Sequence, residues 1–274
     1  PQDSAIAIPP FVFMADSTGL SHLYRFRNDS IVRLTAAAGN DMDPQSAAGR
    51  LVFASDRDGN VEVYIGDLDL ATSRRVTNSS AIDEQPALNP RGDTIAFVSN
   101  RSGIPRLWIV AAPGPADTGY ATPAPLATGT PSYVPEQSPA WSPDGRQIAF
   151  TSVHGGVSQV LVVPAGGGTA IAVTHEPGGA FSPVWSADGS AILFVSATDG
   201  MRLRRVALAT GETTDVADDP LGVGAPSCDA AVCLAVTDPG GGAGSIIALA
   251  TSGTRRQVVL GRARNERHPA ILVP

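Results

Sequence analysis

The sequence predicts an all-β protein, a six-bladed β-propeller closed by its C-terminal strand, which completes the N-terminal blade. Three observations predict it. A proline-anchored unit recurs about every 43 residues along the 274-residue chain. Gly (29) and Pro (23) together make up about a fifth of the residues, so turns are frequent and long helices are disfavoured. Finally, the first unit lacks a leading strand, and the C-terminus supplies a lone one.

The repeat is plainest in Gln85-Pro-Ala-Leu-Asn-Pro-Arg-Gly-Asp-Thr-Ile-Ala-Phe97, Ser138-Pro-Ala-Trp-Ser-Pro-Asp-Gly-Arg-Gln-Ile-Ala-Phe150 and Ser182-Pro-Val-Trp-Ser-Ala-Asp-Gly-Ser-Ala-Ile-Leu-Phe194. Weaker copies begin at Asp43, Ala225 and His268. The anchoring prolines Pro44, Pro86, Pro139, Pro183, Pro226 and Pro269 are spaced by 42, 53, 44, 43 and 43 residues. The long spacing contains an insert at about 111–125, rich in Pro, Ala and Gly, which reads as a surface excursion between two strands of blade 3.

Within each unit a short apolar strand leads to a Ser-Pro-Asp-Gly type turn and a second strand. A Gly-containing turn follows, such as 56–59 or 100–103, then a third strand, such as 61–65 or 106–110. Glycine at these turns supplies the positive φ of tight hairpins. Four short antiparallel strands per repeat make a propeller blade. The first unit offers strands at 11–15, 22–26 and 31–35, and residues 268–273 supply the missing one. Closure removes the open sheet edges. Residues 1–10 are then an N-terminal extension placed along the closure seam, and residues 11–274 form a single propeller.

Composition excludes several functions. The net charge is −7, from 26 acids and 19 basic residues, every one of them Arg. A pI near 5.0 argues against a general nucleic-acid or anionic-membrane binder. The charge is uneven: residues 1–200 hold eleven Arg against nineteen acids, and residues 201–274 hold eight against seven. No apolar run approaches the roughly 18 residues of a membrane helix. The chain starts at Pro1, so any secretion signal or lipidated cysteine would lie upstream of it.

The unit Trp141-Ser-Pro-Asp-Gly-Arg-Gln-Ile-Ala-Phe150 and the stretch Ser55-Asp-Arg-Asp-Gly-Asn-Val-Glu-Val-Tyr64 resemble the repeats of the TolB-type (PD40, WD40-like) six-bladed propeller family. The resemblance covers about residues 11–273. It implies a periplasmic or extracellular location, as a secreted protein or lipoprotein, and a protein-binding role, since the family's namesake is the periplasmic component of the Tol–Pal envelope system. The same repeat recurs in lipoproteins, sensor ectodomains and prolyl-oligopeptidase-like peptidases. The namesake's separate N-terminal α/β domain has no counterpart in this sequence.

Three residues before each anchoring proline the chain enters the innermost strand. Those positions are Asp41, Asp83, Glu136, Ala180, Val223 and Glu266, so acids occupy four consecutive blades, with Asp43 and Glu84 close by. Two readings stand. Either the acids cap backbone N–H groups and pair with Arg57 and Arg101, or they form an acidic channel mouth for a cation or a basic partner group. On the second reading Asp41, Asp83, Glu136 and Glu266 are the candidate ligands of a divalent cation such as Ca²⁺. Asp43, Glu84 and His268 then complete the partner-binding rim.

Cys228 and Cys233 face one another across a shortened hairpin, as a disulfide or as two free thiols. The family resemblance favours the bridge, because envelope compartments are oxidising. No further Cys or His lies near enough for a zinc site. His22, His154 and His175 form no ligand or catalytic pattern, no Gly-x-Ser-x-Gly elbow occurs, and the Gly runs 166–168 and 240–242 open no helix. Arg202 and Arg204 share one face of a third strand, read as a solvated outer face, and the three Trp read as inter-blade core.

The expectation is a non-enzymatic extracytoplasmic binding or scaffold module. It docks a protein partner through the acidic mouth of its channel, or serves as accessory subunit of an envelope or membrane complex. The alternative is a channel-mouth hydrolase or lyase, or the propeller part of a prolyl-oligopeptidase-like peptidase.

Overall fold

The computed structural model describes residues 6–17, 19–114, 116–216, 223–237, 245–251, 256–260 and 267–273. These residues form six four-stranded antiparallel sheets and no helix. The innermost strands of blades 1 to 6 are Arg267–Ile271, Asp41–Ala47, Asp83–Leu88, Glu136–Trp141, Ala180–Trp185 and Val223–Cys228. They contact one another in a ring around the central channel. The second strands, Phe11–Ser17, Arg50–Ser55, Thr94–Ser99, Gln147–His154, Ala191–Ser196 and Val232–Thr237, lie between flanking blades. Ala191–Ser196 is buried at every position, as a strand covered on both faces must be.

Each blade interface is an apolar layer. Between blades 2 and 3 it is built from Val52, Ile65, Ile95 and Phe97, and between blades 1 and 2 from Val12, Leu23, Phe53 and Tyr64. Phe53, Phe97, Phe150 and Phe194 recur at the same place in successive second strands and are fully buried. The repeat seen in the sequence is thus a repeat of interface contacts, in which each unit's apolar face is buried only by its neighbour.

The C-terminal strand completes blade 1, with Phe11 opposite Ile271 and Val12 opposite Ala270. Leu272 N–H donates to the Pro10 carbonyl at 2.9 Å. Ser46 of blade 2 donates through Oγ to Ile271 O at 2.7 Å and accepts from Val273 N at 2.8 Å. On the other side, Ser227 Oγ of blade 6 accepts from Ile271 N at 3.0 Å. The closing strand is therefore fastened to its own blade and to both neighbours. Ile6 and Ile8 pack on the apolar layer between blades 1 and 6; residues 1–5 lie outside the described part.

In blade 3 the third strand, Arg106–Ala111, pairs with an outermost strand of two residues, Ala124–Pro125, after a long excursion. Arginines of blade 2 fasten that excursion. Arg50 Nη2 donates to Pro113 O at 2.6 Å, and Arg74 donates to the Asp117 and Gly119 carbonyls.

Cys228 and Cys233 are disulfide-bonded, with Cα atoms 4.0 Å apart. They stand opposite one another as Trp141 and Ile148 do in blade 4. Replacing both by Ala should lower unfolding free energy by about 2 kcal/mol, the loop-entropy value for so short a loop. Urea denaturation of the variant and of the reduced native protein would read this, and unchanged midpoints would refute it.

Candidate functional site: the channel mouth

Each innermost strand carries an irregularity at its anchoring proline. The register with the second strand shifts between Met42 and Gln45, Glu84 and Ala87, Gln137 and Ala140, Phe181 and Val184, and Gly224 and Ser227. Proline cannot donate to the ladder, so a bulge is where an inner strand can hold one. The residue before the proline turns the chain into it with positive φ: Asp43 (50°), Gln85 (50°), Ser138 (52°), Ser182 (50°) and His268 (47°). None of these is glycine, and a left-handed non-glycine residue costs on the order of 1 kcal/mol or more. Strain of the same kind is therefore repeated in five blades at one radial position.

The result is a ring of six prolines that divides the channel. On one side is a cavity of about 170 Å³, lined by Asp43, Gln85, Ser138, Ser182 and His268 above the prolines. Five of them, all but Pro86, also border a larger cavity on the other side. The pre-proline side chains are knitted around the mouth. Asp43 Oδ1 lies 3.2 Å from His268 Nδ1 across blades 1 and 2, and Asp43 Oδ2 accepts from Gln85 N at 3.3 Å. Gln85 Oε1 accepts from Ser138 N at 2.7 Å. The Glu84 carboxyl is pushed above the usual carboxylate range, first by burial and then by the charge of Asp43. The mouth is thus lopsided: Asp43, His268 and Gln85 on blades 1 to 3, and small serines on blades 4 and 5.

The expected rim is corrected for three of its acids. Asp41, Asp83 and Glu136 are completely buried, line neither channel cavity, and do not face one another across the pore. Asp41 Oδ1 accepts from Arg57 Nη2 at 2.5 Å, and Asp83 Oδ2 accepts from Arg101 Nη2 at 2.6 Å. In each case the same arginine donates through Nε to a second-strand serine, Ser55 or Ser99, at 2.9 Å. The guanidinium lies over the blade's own aromatics: Arg57 over Phe53 and Tyr64, Arg101 over Phe97 and Trp108. Burial raises the Asp83 carboxyl above its ordinary range despite Ser99 and Arg101, which act the other way.

Blade 4 has no arginine in the corresponding turn, so Glu136 is closed from blade 3. Its carboxylate accepts from Leu107 N at 2.9 Å, from Thr130 Oγ1 at 2.5 Å and from Thr128 Oγ1, and pairs with Arg106 at 3.0 Å. Blade 5 begins with Ala180, and the nearby Glu176 is held by Arg204, Ser196 and Thr198. Arg204 is therefore engaged in an ion pair, not simply solvated. His22 is buried, with Nδ1 3.6 Å from Asp41 Oδ2, while His154 and His175 are exposed.

No group of three or more His, Cys, Asp or Glu side chains suited to a metal ion occurs among the described residues. Glu266, the fourth expected ligand, and the Gly run 240–242 lie outside those residues. Of the expected rim residues, Asp43 and His268 line the smaller cavity; Glu84 lies near Asp43 but lines neither cavity. Sequence reasoning passed over Gln85, Ser138 and Ser182; their signal was position, one residue before each anchoring proline. Trp141 and Trp185, expected as core, also line the larger cavity.

Residues 127–271 match the family model described as the TolB beta propeller domain. A TolB homolog of Chlorobaculum tepidum is 32% identical over 122 residues, covering 43% of this chain and 25% of that protein. The Tol-Pal system protein TolB of Anaeromyxobacter dehalogenans is 30% identical over 163 residues, covering 60% of this chain and 33% of that protein. The chain therefore matches a quarter to a third of the length of these relatives. Among solved structures, TolB from Acinetobacter baumannii superposes with a TM-score of 0.80 at 17% identity, covering 97% of this chain and 67% of that one.

Proposed function

This chain belongs to the TolB β-propeller family, and from that premise we propose that it is a non-enzymatic protein-interaction module of an extracytoplasmic, Tol–Pal-type envelope assembly. Its partner docks at the channel mouth. The observation that carries the reading is the collar of pre-proline residues. Positive φ recurs at Asp43, Gln85, Ser138, Ser182 and His268, all at one level of the channel. It sets polar side chains around a cavity, where a partner's loop tip can be received.

The charge of the mouth names the group received. Asp43 lines the mouth beside His268, and its charge adds to burial in raising the neighbouring Glu84 carboxyl, so a basic side chain docked at Asp43 offsets the surplus negative charge there. The serine side of the mouth leaves room for the rest of the tip. Binding to the Pal component encoded by the same genome tests this by calorimetry. Asp43→Asn with Glu84→Gln should weaken binding about tenfold or more, and rising salt should weaken the wild-type complex. Both substitutions keep the side chains' size, so the melting temperature should hold. Unchanged affinity in the double variant would overturn the role of the mouth.

A further inference from the structure

The channel has a second chamber that the proposed partner site does not use. Beyond the proline ring, toward the turns that join innermost to second strands, lies a cavity of about 560 Å³. That is the size of a site for a small organic molecule. Its walls come from all six innermost strands, and Pro44, Pro139, Pro183, Pro226 and Pro269 line it as well as the smaller cavity.

The polar groups of the wall are already engaged. Gln45 accepts from Leu88 N and donates to Ser46 O. Ser46 and Ser227 bond the closing strand. Trp141 Nε1 donates to Ala87 O at 2.9 Å, and Trp185 Nε1 donates to Ala140 O at 3.0 Å, each across a blade interface. A ligand therefore finds a wall that is mostly apolar, with these side-chain groups already bonded within the protein.

Charge narrows the class further. Among the described residues that line the chamber, Asp229 is the one with a charged side chain, and no arginine or histidine is among them. Trp141 and Trp185, from adjacent blades, also line the chamber, and an indole is the aromatic side chain that attracts a cation most strongly. We propose that this chamber binds an organic cation with an apolar body, a tertiary or quaternary ammonium compound, with its head held by the indoles and Asp229. An anion meets a carboxylate and indoles here, and a strongly hydrated inorganic cation meets too few oxygen ligands.

The test uses the full chain labelled with ¹⁵N at the indoles of its three Trp. Benzyltrimethylammonium is titrated in, then its neutral isostere neopentylbenzene, then naphthalene sulfonate. The cation should shift the Trp141 and Trp185 indole signals saturably and leave Trp108, on a third strand under Arg101, unmoved. The neutral isostere should bind about tenfold more weakly, and Asp229→Asn should weaken the cation by about the same factor. Asn keeps the oxygen that caps Ala231 and Val232 N–H, so that variant should fold. No saturable shift at millimolar cation, equal binding of the isostere or the sulfonate, or an unaffected Asp229→Asn would each overturn the proposal.

Discussion

Removing residues 267–274 should cost at least about 5 kcal/mol, an amount comparable to the whole stability of many domains. The deletion strips the innermost strand from blade 1, exposing Phe11 and Val12 along a bare edge. It also takes Ala270 and Ile271 out of the core and leaves Ser46, Ser227 and Pro10 without their bonds to the strand. Loss of one buried Ile side chain alone costs about 2–5 kcal/mol, before any ladder hydrogen bond is counted. The truncated chain should lose its cooperative melting transition or melt far lower by circular dichroism. A truncation that melts like the full chain would mean that the ring does not depend on closure.

Glu136→Ala should destabilise by about 3–5 kcal/mol, because it leaves buried charge and donors uncompensated. Arg106, Thr128, Thr130 and Leu107 N–H all converge on that carboxylate, joining the third blade to the fourth. Glu136→Gln keeps an acceptor at the same place and should lose roughly half as much. Urea unfolding of both variants would separate the readings. A loss below about 1 kcal/mol in the alanine variant would show that the cluster is not a structural lock. If Glu136 instead served a partner at the mouth, stability would hold and binding would fall.

The blades were legible because their grammar is local. Six prolines at near-constant spacing, a Gly turn in each unit and mismatched ends are enough to count strands and join the ring. The facing cysteines were legible for the same reason, since a hairpin fixes which residues oppose each other. Where the acids point was not legible. In a regular strand Asp41 and Asp43 lie on one face, two residues apart. The bulge between Met42 and Gln45 breaks that alternation, sending Asp41 into the blade interface and Asp43 to the channel. Arg57 and Arg101 could be named as alternative partners because they share a hairpin with the strand that follows their acid. Arg106 could not, because it reaches Glu136 from the preceding blade, 30 residues earlier in the chain, and no hairpin or repeated motif links the two positions.

The closure of blade 1 also decides how the molecule responds to force. Phe11 stands opposite Ile271, so the segments that precede and follow this pair leave the sheet at the same end. Tension applied through them pulls the two strands apart like a zipper, breaking the pairs Phe11–Ile271, Val12–Ala270 and Met14–Arg267 one after another instead of shearing them together. The arrangement that seals the ring in solution is the one that opens under load at its lowest threshold. The other five blades, each continuous in sequence, would outlast the first.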